Sequence, residues 1–129
     1  MTDSRGRVLI VEDDESLRRI VSRHLRGKGY EVEEAPSAEA AATAFEGGLR
    51  PAIVLLDINL PGATGWDLLL EPAFAAAGSP PVVITSATPV RPRQLAESGS
   101  AGFLPKPFPL ETLVATLERV LNSQRGVRH

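Results

Sequence analysis

The feature that most constrains the fold of this chain is a regular alternation between short apolar runs and longer segments of helical character. The runs predict five β-strands, at residues 7–11, 30–35, 52–56, 82–85 and 102–104. About five helices are expected between and after these strands. Such alternation is typical of an α/β fold in which helices cover both faces of a parallel sheet. We therefore expect a five-stranded, doubly wound parallel sheet.

Apolar stripes mark the faces by which the helices should pack on the sheet. The stripe of the first helix consists of Leu17, Ile20, Val21 and Leu25. The stripe of the last helix consists of Leu110, Leu113, Val114, Leu117, Val120 and Leu121. Phe45 and Phe74 are predicted core residues, and Trp66 is expected to pack at the start of the third helix. His24 lies beside the first stripe without a second metal-binding group at suitable spacing, which favours a packed structural role.

Three prolines modify this pattern. Pro72 falls inside the expected third helix, where it removes a hydrogen bond and predicts a kink or a short helix. Pro89 and Pro92 disfavour a regular helix start, so we expect a loop at residues 87–91 and a fourth helix confined to about residues 93–98.

The length of 129 residues predicts one domain, with a core at about residues 7–122 and a short polar tail at residues 123–129. The chain has no Cys, which excludes disulfides and thiolate metal sites and predicts a cytoplasmic location. No apolar run approaches the roughly 20 residues of a membrane span. A net charge of −2 argues against direct nucleic-acid binding, because that would require a basic patch.

Polar residues follow four of the predicted strands. Ligands of parallel sheets bind beyond the carboxyl ends of the strands, where the strand order reverses. In the flavodoxin-like order 2-1-3-4-5, the third strand lies between the first and the fourth. The residues that would then meet at this edge are Glu12, Asp13, Asp57, Ser86 and Lys106.

These residue types suit phosphoryl transfer. Three converging carboxylates repel one another, and protonation or a bound cation relieves this repulsion. Oxygen ligands such as these favour Mg2+ or Mn2+. Phosphoryl transfer needs a nucleophile, positive charge at the phosphoryl oxygens and a hydroxyl donor. Asp57, Lys106 and Ser86 together with the metal could supply these parts.

The same residues lie in four motifs, VLIVEDD, LLDINLPGATG, PVVITSA and FLPKPF, and with them the chain resembles the receiver domains of two-component response regulators from residue 8 to about residue 121. The resemblance implies a phosphoacceptor at Asp57, assisted by Ser86 and Lys106. It also implies metal ligation by Glu12, Asp13, Asp57 and the backbone carbonyl of Asn59, a switch formed by Ser86 and Phe103, and a cis Lys106-Pro107 peptide.

The implied function is that of a phosphoprotein in a phosphorelay. A histidine kinase or a histidine phosphotransfer protein would supply the phosphoryl group, and the domain would be self-phosphorylating and self-dephosphorylating rather than a classical enzyme. Asn59 and Thr88 would tune the access of water to the phosphorus. Because only a short polar tail follows the last helix, output is expected through the surface of an unknown partner. A phosphorylation-dependent homodimer is left open.

Other functions fit these residues less well. A haloacid-dehalogenase-type enzyme also uses an Asp nucleophile, but its motif has a second Asp where Asn59 stands. A flavodoxin-like cofactor binder needs a phosphate-binding loop, and Glu12, Asp13, Asp14 and Glu15 would repel phosphate. Asp14 and Glu15 could simply begin the first helix. A degenerate receiver that acts as a phosphorylation-independent interaction module is the main alternative.

Overall fold

The computed structural model describes residues 4–126, and the side chains of residues 4–124. Its strands are β1 (Arg7–Val11), β2 (Glu31–Ala35), β3 (Ile53–Asp57), β4 (Val82–Ser86) and β5 (Gly102–Pro105). Its helices are α1 (Glu15–Gly27), α2 (Ala38–Glu46), α3 (Gly65–Leu69), α4 (Pro72–Ala76), α5 (Pro92–Ser98) and α6 (Leu110–Gly126). Helix α6 takes in the first part of the predicted polar tail, and residues 127–129 of that tail lie outside the described residues.

The five strands form one parallel sheet in the order β2-β1-β3-β4-β5, which confirms the predicted fold class and strand order. Every residue of β3 and β4 is buried, as expected for central strands of a sheet that is covered on both faces. The predicted strand ends are correct to within one residue. Strand β3 extends to Asp57 because that residue still pairs with Thr85 of β4.

Helices pack on both faces of the sheet. On one face, Val21 and Leu25 of α1 and Leu117 of α6 join a cluster with residues of β1, β3 and β4. On the other face, Phe45 of α2 and Phe74 of α4 are core residues, as predicted, and their rings meet edge to face at 5.8 Å. Because apolar clusters pack on both faces of the sheet, the sheet edge that carries the polar residues is held in a fixed position.

Ile20 does not belong to the buried stripe of α1, contrary to the sequence-based expectation. Its side chain is 55% exposed, because α1 packs on the sheet through Val21 and Leu25. The predicted apolar stripe therefore includes more of the helix surface than the face that contacts the sheet. His24 is half-buried and lines a shallow surface depression with Ile20 and Leu110. This position agrees with the packed structural role expected of His24.

Proline positions explain the short helices. The expected third helix is divided into α3 and α4, and Pro72 stands in the first turn of α4, so the described part of the chain has six helices rather than about five. Helix α5 likewise begins at Pro92, one residue before the predicted start, and residues 87–91 form the predicted loop. None of the described helices is long and apolar enough to cross a membrane.

Candidate functional site

Three acidic side chains lie together at the carboxyl ends of β1 and β3. Glu12 and Asp57 are buried, at 5% and 3% exposure, whereas Asp13 is exposed. One carboxylate oxygen from each of the three lies within 4.8 Å of the others. The three acids predicted to meet at this edge of the sheet therefore do so.

Backbone contacts fix the Glu12 carboxylate. The backbone amide of Glu12 donates to the carbonyl of Ala35 at 3.0 Å, and Glu12 Oε2 accepts from the amide of Asp14 at 3.1 Å. Arg18 donates from Nη1 to the Glu12 carbonyl at 2.9 Å and also pairs with Glu34. This supporting role of Arg18 was not predicted from the sequence, where its position one helical turn after Asp14 is the available signal.

Asp57 is placed by the end of β3 and by a close backbone approach. Its Oδ1 accepts from the amide of Asn59 at 2.8 Å. At Gly65 an added Cβ would lie 2.8 Å from the Asp57 carbonyl oxygen and from Ile58 Cα, so a larger residue would displace this loop. The last Gly of the LLDINLPGATG motif is therefore needed for close packing beside Asp57, a role that was not predicted from the sequence.

Lys106 joins the two buried acids. Its Nζ lies 2.6 Å from Glu12 Oε1 and 3.0 Å from Asp57 Oδ2, and its side chain is 16% exposed. The backbone that carries it is held by a 2.8 Å hydrogen bond from the Lys106 amide to the Ser86 carbonyl. The Lys106-Pro107 peptide is cis, as the family resemblance implied.

The electrostatics of this trio follow from burial and contact. Burial is the largest influence on Glu12 and raises the pKa of its carboxyl, although the hydrogen bond from Lys106 opposes that shift. Burial would lower the pKa of Lys106, but hydrogen bonds and charge from Glu12 and Asp57 together outweigh it and raise the pKa. The Lys106 ammonium therefore stays charged at neutral pH.

Ser86 is 1% exposed and its hydroxyl is held by the loops beside the acids. Its Oγ lies 2.8 Å from Asn59 Oδ1 and 2.7 Å from the Thr88 carbonyl, and it accepts from the Thr88 amide at 3.0 Å. Among the described contacts, Ser86 makes no hydrogen bond to Asp57. Ser86 thus lies at the predicted edge, but its hydroxyl is occupied by Asn59 and Thr88.

Phe103 lies outside this polar group. It is a residue of β5 in register with Ile84, and it is half-buried. Like Val90 and Leu95, it packs against the apolar cluster on one face of the sheet. A change in the loop after β4 could therefore reach Phe103 through packing.

The acidic cluster fits a divalent cation by its chemistry. Carboxylate and carbonyl oxygens are the ligands that Mg2+ and Mn2+ prefer. The single charge of Lys106 cannot balance Glu12, Asp13 and Asp57 together, so negative charge remains at the edge. The exposed position of Asp13 leaves this charge accessible from solvent.

Comparison with known proteins agrees with this geometry. A family model described as the response regulator receiver domain matches residues 8–118. The DNA-binding response regulator MtrA of Mycolicibacterium smegmatis is 38% identical over 116 residues, which cover 89% of this chain and 50% of that protein. The chain thus spans about half the length of such curated relatives.

Solved receiver domains have the same fold. The chemotaxis protein CheY4 of Vibrio cholerae superposes with a TM-score of 0.80 at 32% identity, over 89% of this chain and 98% of that one. A CheY-like receiver domain protein from Methanospirillum hungatei gives a TM-score of 0.85 at 26% identity, over 95% of this chain and 98% of that one. These comparisons do not support the dehalogenase, the cofactor binder or the degenerate receiver. The chain belongs to the response regulator receiver family of two-component signalling.

Proposed function

We propose that this domain accepts a phosphoryl group on Asp57 from the phosphohistidine of a histidine kinase or histidine phosphotransfer protein. The observation that carries this proposal is the contact of a buried Asp57 carboxylate with Lys106, beside two further acids. A buried carboxylate held by an ammonium and a backbone amide is fixed in orientation, which phosphoryl transfer requires.

The proposed transfer is a displacement at phosphorus. A carboxylate oxygen of Asp57 forms the new O–P bond as the N–P bond of the phosphohistidine breaks. The electron pair of the N–P bond stays with the imidazole, which takes a proton from solvent. The product is an acyl phosphate on Asp57 and a free histidine on the donor.

The other residues neutralise and position the charge. Lys106 would turn from Glu12 toward the phosphoryl oxygens, and the Ser86 hydroxyl would donate to one of them. Glu12, Asp13 and Asp57, with the Asn59 backbone carbonyl, would hold Mg2+, which would supply further positive charge beside the phosphoryl group.

The domain would return to its unphosphorylated state by hydrolysis of the acyl phosphate, which needs water and no second protein. Water attacks the phosphorus, the O–P bond to Asp57 breaks, and inorganic phosphate leaves with the Asp57 carboxylate restored. Asn59 Nδ2 donates to Thr88 Oγ1 at 3.2 Å, so these two side chains flank the approach together. The domain would thus be self-phosphorylating and self-dephosphorylating, and not a classical enzyme.

Output would pass through a partner surface formed by α5, β5 and α6, the counterparts of the fourth helix, fifth strand and fifth helix of other receivers. The matched MtrA proteins are named as DNA-binding regulators, and this chain covers 50% of them. The expectation that the domain itself makes no nucleic-acid contact therefore stays a prediction, as do the cytoplasmic location and a phosphorylation-dependent homodimer.

Intact-protein mass spectrometry tests the proposal. After incubation with acetyl phosphate and Mg2+, the wild type should gain one phosphoryl adduct, and Asp57→Asn should gain none. Asp14→Asn is the matched control, because Asp14 is exposed and Asn caps a helix as well as Asp does. An unmodified wild type, or a full-yield adduct on Asp57→Asn, would contradict the proposal.

A further inference from the structure

The side chain of Asn59 ties together two loops at the edge of the sheet. Its Oδ1 accepts from Ser86 Oγ at 2.8 Å and from the Ala87 amide at 3.2 Å. Its Nδ2 donates to Thr88 Oγ1 at 3.2 Å. One exposed side chain after β3 thus makes three contacts with three consecutive residues at the end of β4.

The Ser86 hydroxyl has a single proton, and its present partners take it. The proton points to Asn59 Oδ1 at 2.8 Å or to the Thr88 carbonyl at 2.7 Å, while the oxygen accepts from the Thr88 amide at 3.0 Å. Thr88 Oγ1 lies 3.1 Å from the same hydroxyl and can act as donor or acceptor. A hydrogen bond from Ser86 to a phosphoryl group on Asp57 therefore requires that this proton leave both acceptors, Asn59 Oδ1 and the Thr88 carbonyl.

We infer that Asn59 is a latch that holds Ser86 in the unphosphorylated arrangement and thereby sets the cost of the switch. The inference rests on the proposed function and assigns Asn59 a positioning role through its side chain. This role is separate from metal ligation, for which only the Asn59 backbone carbonyl is proposed. The latch stabilises the free state, so its removal should favour the phosphorylated arrangement.

The size of the effect follows from the contact that is lost. A hydrogen bond with neutral partners changes a protein equilibrium by about three- to tenfold. The Thr88 carbonyl, 2.7 Å from Ser86 Oγ, remains in Asn59→Ala, so this substitution removes one of the two acceptors that hold the hydroxyl. Asn59 itself is exposed, so its truncation to Ala leaves no buried cavity.

The test is a titration of the full chain with beryllofluoride, a phosphoryl mimic, at saturating Mg2+. Asn59→Ala should bind beryllofluoride about three- to tenfold more tightly than the wild type. Mg2+ affinity is measured separately for each variant, so that an effect on the metal is recognised. If Asn59→Ala misfolds, Asn59→Met, which has similar length and no amide, is used in its place.

A double-mutant cycle with Ser86→Ala separates a latch from a general loosening of the loops. In the Ser86→Ala background there is no hydroxyl to hold, so Asn59→Ala should leave beryllofluoride affinity unchanged. Amide resonances of residues 102–104 provide a second readout. In Asn59→Ala without beryllofluoride they should move part of the way toward their positions in the bound wild type.

The outcomes are distinct. Tighter binding that disappears in the Ser86→Ala background supports the latch. No tightening, or equal tightening in both backgrounds, overturns the latch but leaves the proposed function in place if the wild type binds beryllofluoride. A wild type that does not bind beryllofluoride at saturating Mg2+ overturns the proposed function and the latch with it.

Discussion

The Nζ of Lys106 lies 2.6 Å from Glu12 Oε1, so an ion pair joins the residue after β5 to the residue after β1 across the ends of two intervening strands. Both side chains are mostly buried, at 16% and 6% exposure. Without a metal, this ammonium is the positive charge closest to the buried acids. A divalent cation bound by these acids would therefore compete with Lys106 for the same carboxylates.

Removal of the Lys106 charge should destabilise the metal-free domain and strengthen Mg2+ binding. In Lys106→Met two buried acids lose their ammonium, so we expect the free energy of unfolding in EDTA to fall by about 3 kcal/mol at pH 7. Mg2+ affinity should rise about tenfold, because a competing charge has gone. Urea unfolding with and without Mg2+ measures both quantities.

Lys28→Met is the matched control for this substitution, because Lys28 is exposed and forms none of the ion pairs found among the described residues. It should change the unfolding free energy by less than about 0.5 kcal/mol. A Lys106→Met domain with unchanged Mg2+ affinity would contradict the competition between lysine and metal.

Asp13 should contribute to metal binding without contributing to the buried core. Its exposed carboxylate is one of the three that lie within 4.8 Å of each other. Asp13→Asn should therefore weaken Mg2+ binding about tenfold or more and leave the unfolding free energy in EDTA nearly unchanged. The half-buried Trp66 gives a fluorescence signal for the titration, and amide shifts provide a second one. Equal Mg2+ affinity in the wild type and in Asp13→Asn would show that Asp13 is not a metal ligand.

The pH dependence of stability should report on Glu12. Because burial raises the pKa of this carboxyl in the folded state, folding favours its protonated form. The stability gained from that proton is fully present below the ordinary carboxyl pKa of 4.5 and is lost as pH rises through the folded-state pKa. Without Mg2+, the wild type should lose stability relative to Glu12→Gln as pH rises from 4.5.

Denaturation midpoints of both proteins across this range provide the measurement. Acids that do not interact with Glu12 contribute equally to both, so the difference between the two curves reports on Glu12 together with its neighbours Asp57 and Lys106. A stability difference that does not vary with pH, or one in which the wild type gains stability relative to Glu12→Gln as pH rises, would show that burial is not the main influence on the pKa of Glu12.

Hydrophobic periodicity and strand order were sufficient to predict much of the fold and the position of the site. In a parallel sheet the residue after each strand must lie at the same edge, so Glu12, Asp57 and Lys106 could be brought together from sequence alone. Proline chemistry likewise predicted a kink or a short helix at Pro72, where the structure has two short helices, and the late start of α5 near Pro92. Each of these predictions depends on backbone geometry.

Side-chain partners were harder to predict. The exposure of Ile20 depends on how α1 is rotated on the sheet, which helical spacing does not fix. The bond between Asn59 and Ser86 depends on the paths of two loops and on side-chain rotamers that propensities do not determine. The contact at Gly65 similarly depends on the close approach of α3 to Ile58.

Phosphorylation-dependent change should concentrate between Ala87 and Phe103. Ser86 is held by Thr88 and Asn59, so its inward movement must first rearrange the loop that follows β4. That loop leads into α5, a seven-residue helix with no buried residue and no side-chain cap at its start, which makes it readily displaced. Phe103 follows through its packing, because the residue has no hydroxyl with which to form a switch hydrogen bond.

Hydrogen exchange with and without beryllofluoride measures this change. Amide protection should change at residues 87–103, whereas the central strand β3, buried along its whole length, should be unaffected apart from Asp57. In Ser86→Ala the change at residues 87–103 should be much smaller, since the hydroxyl that initiates it is missing. Protection changes confined to α1 and α2, with residues 87–103 unaffected, would refute this route, because the signal would then leave the site through Glu12 and its neighbours.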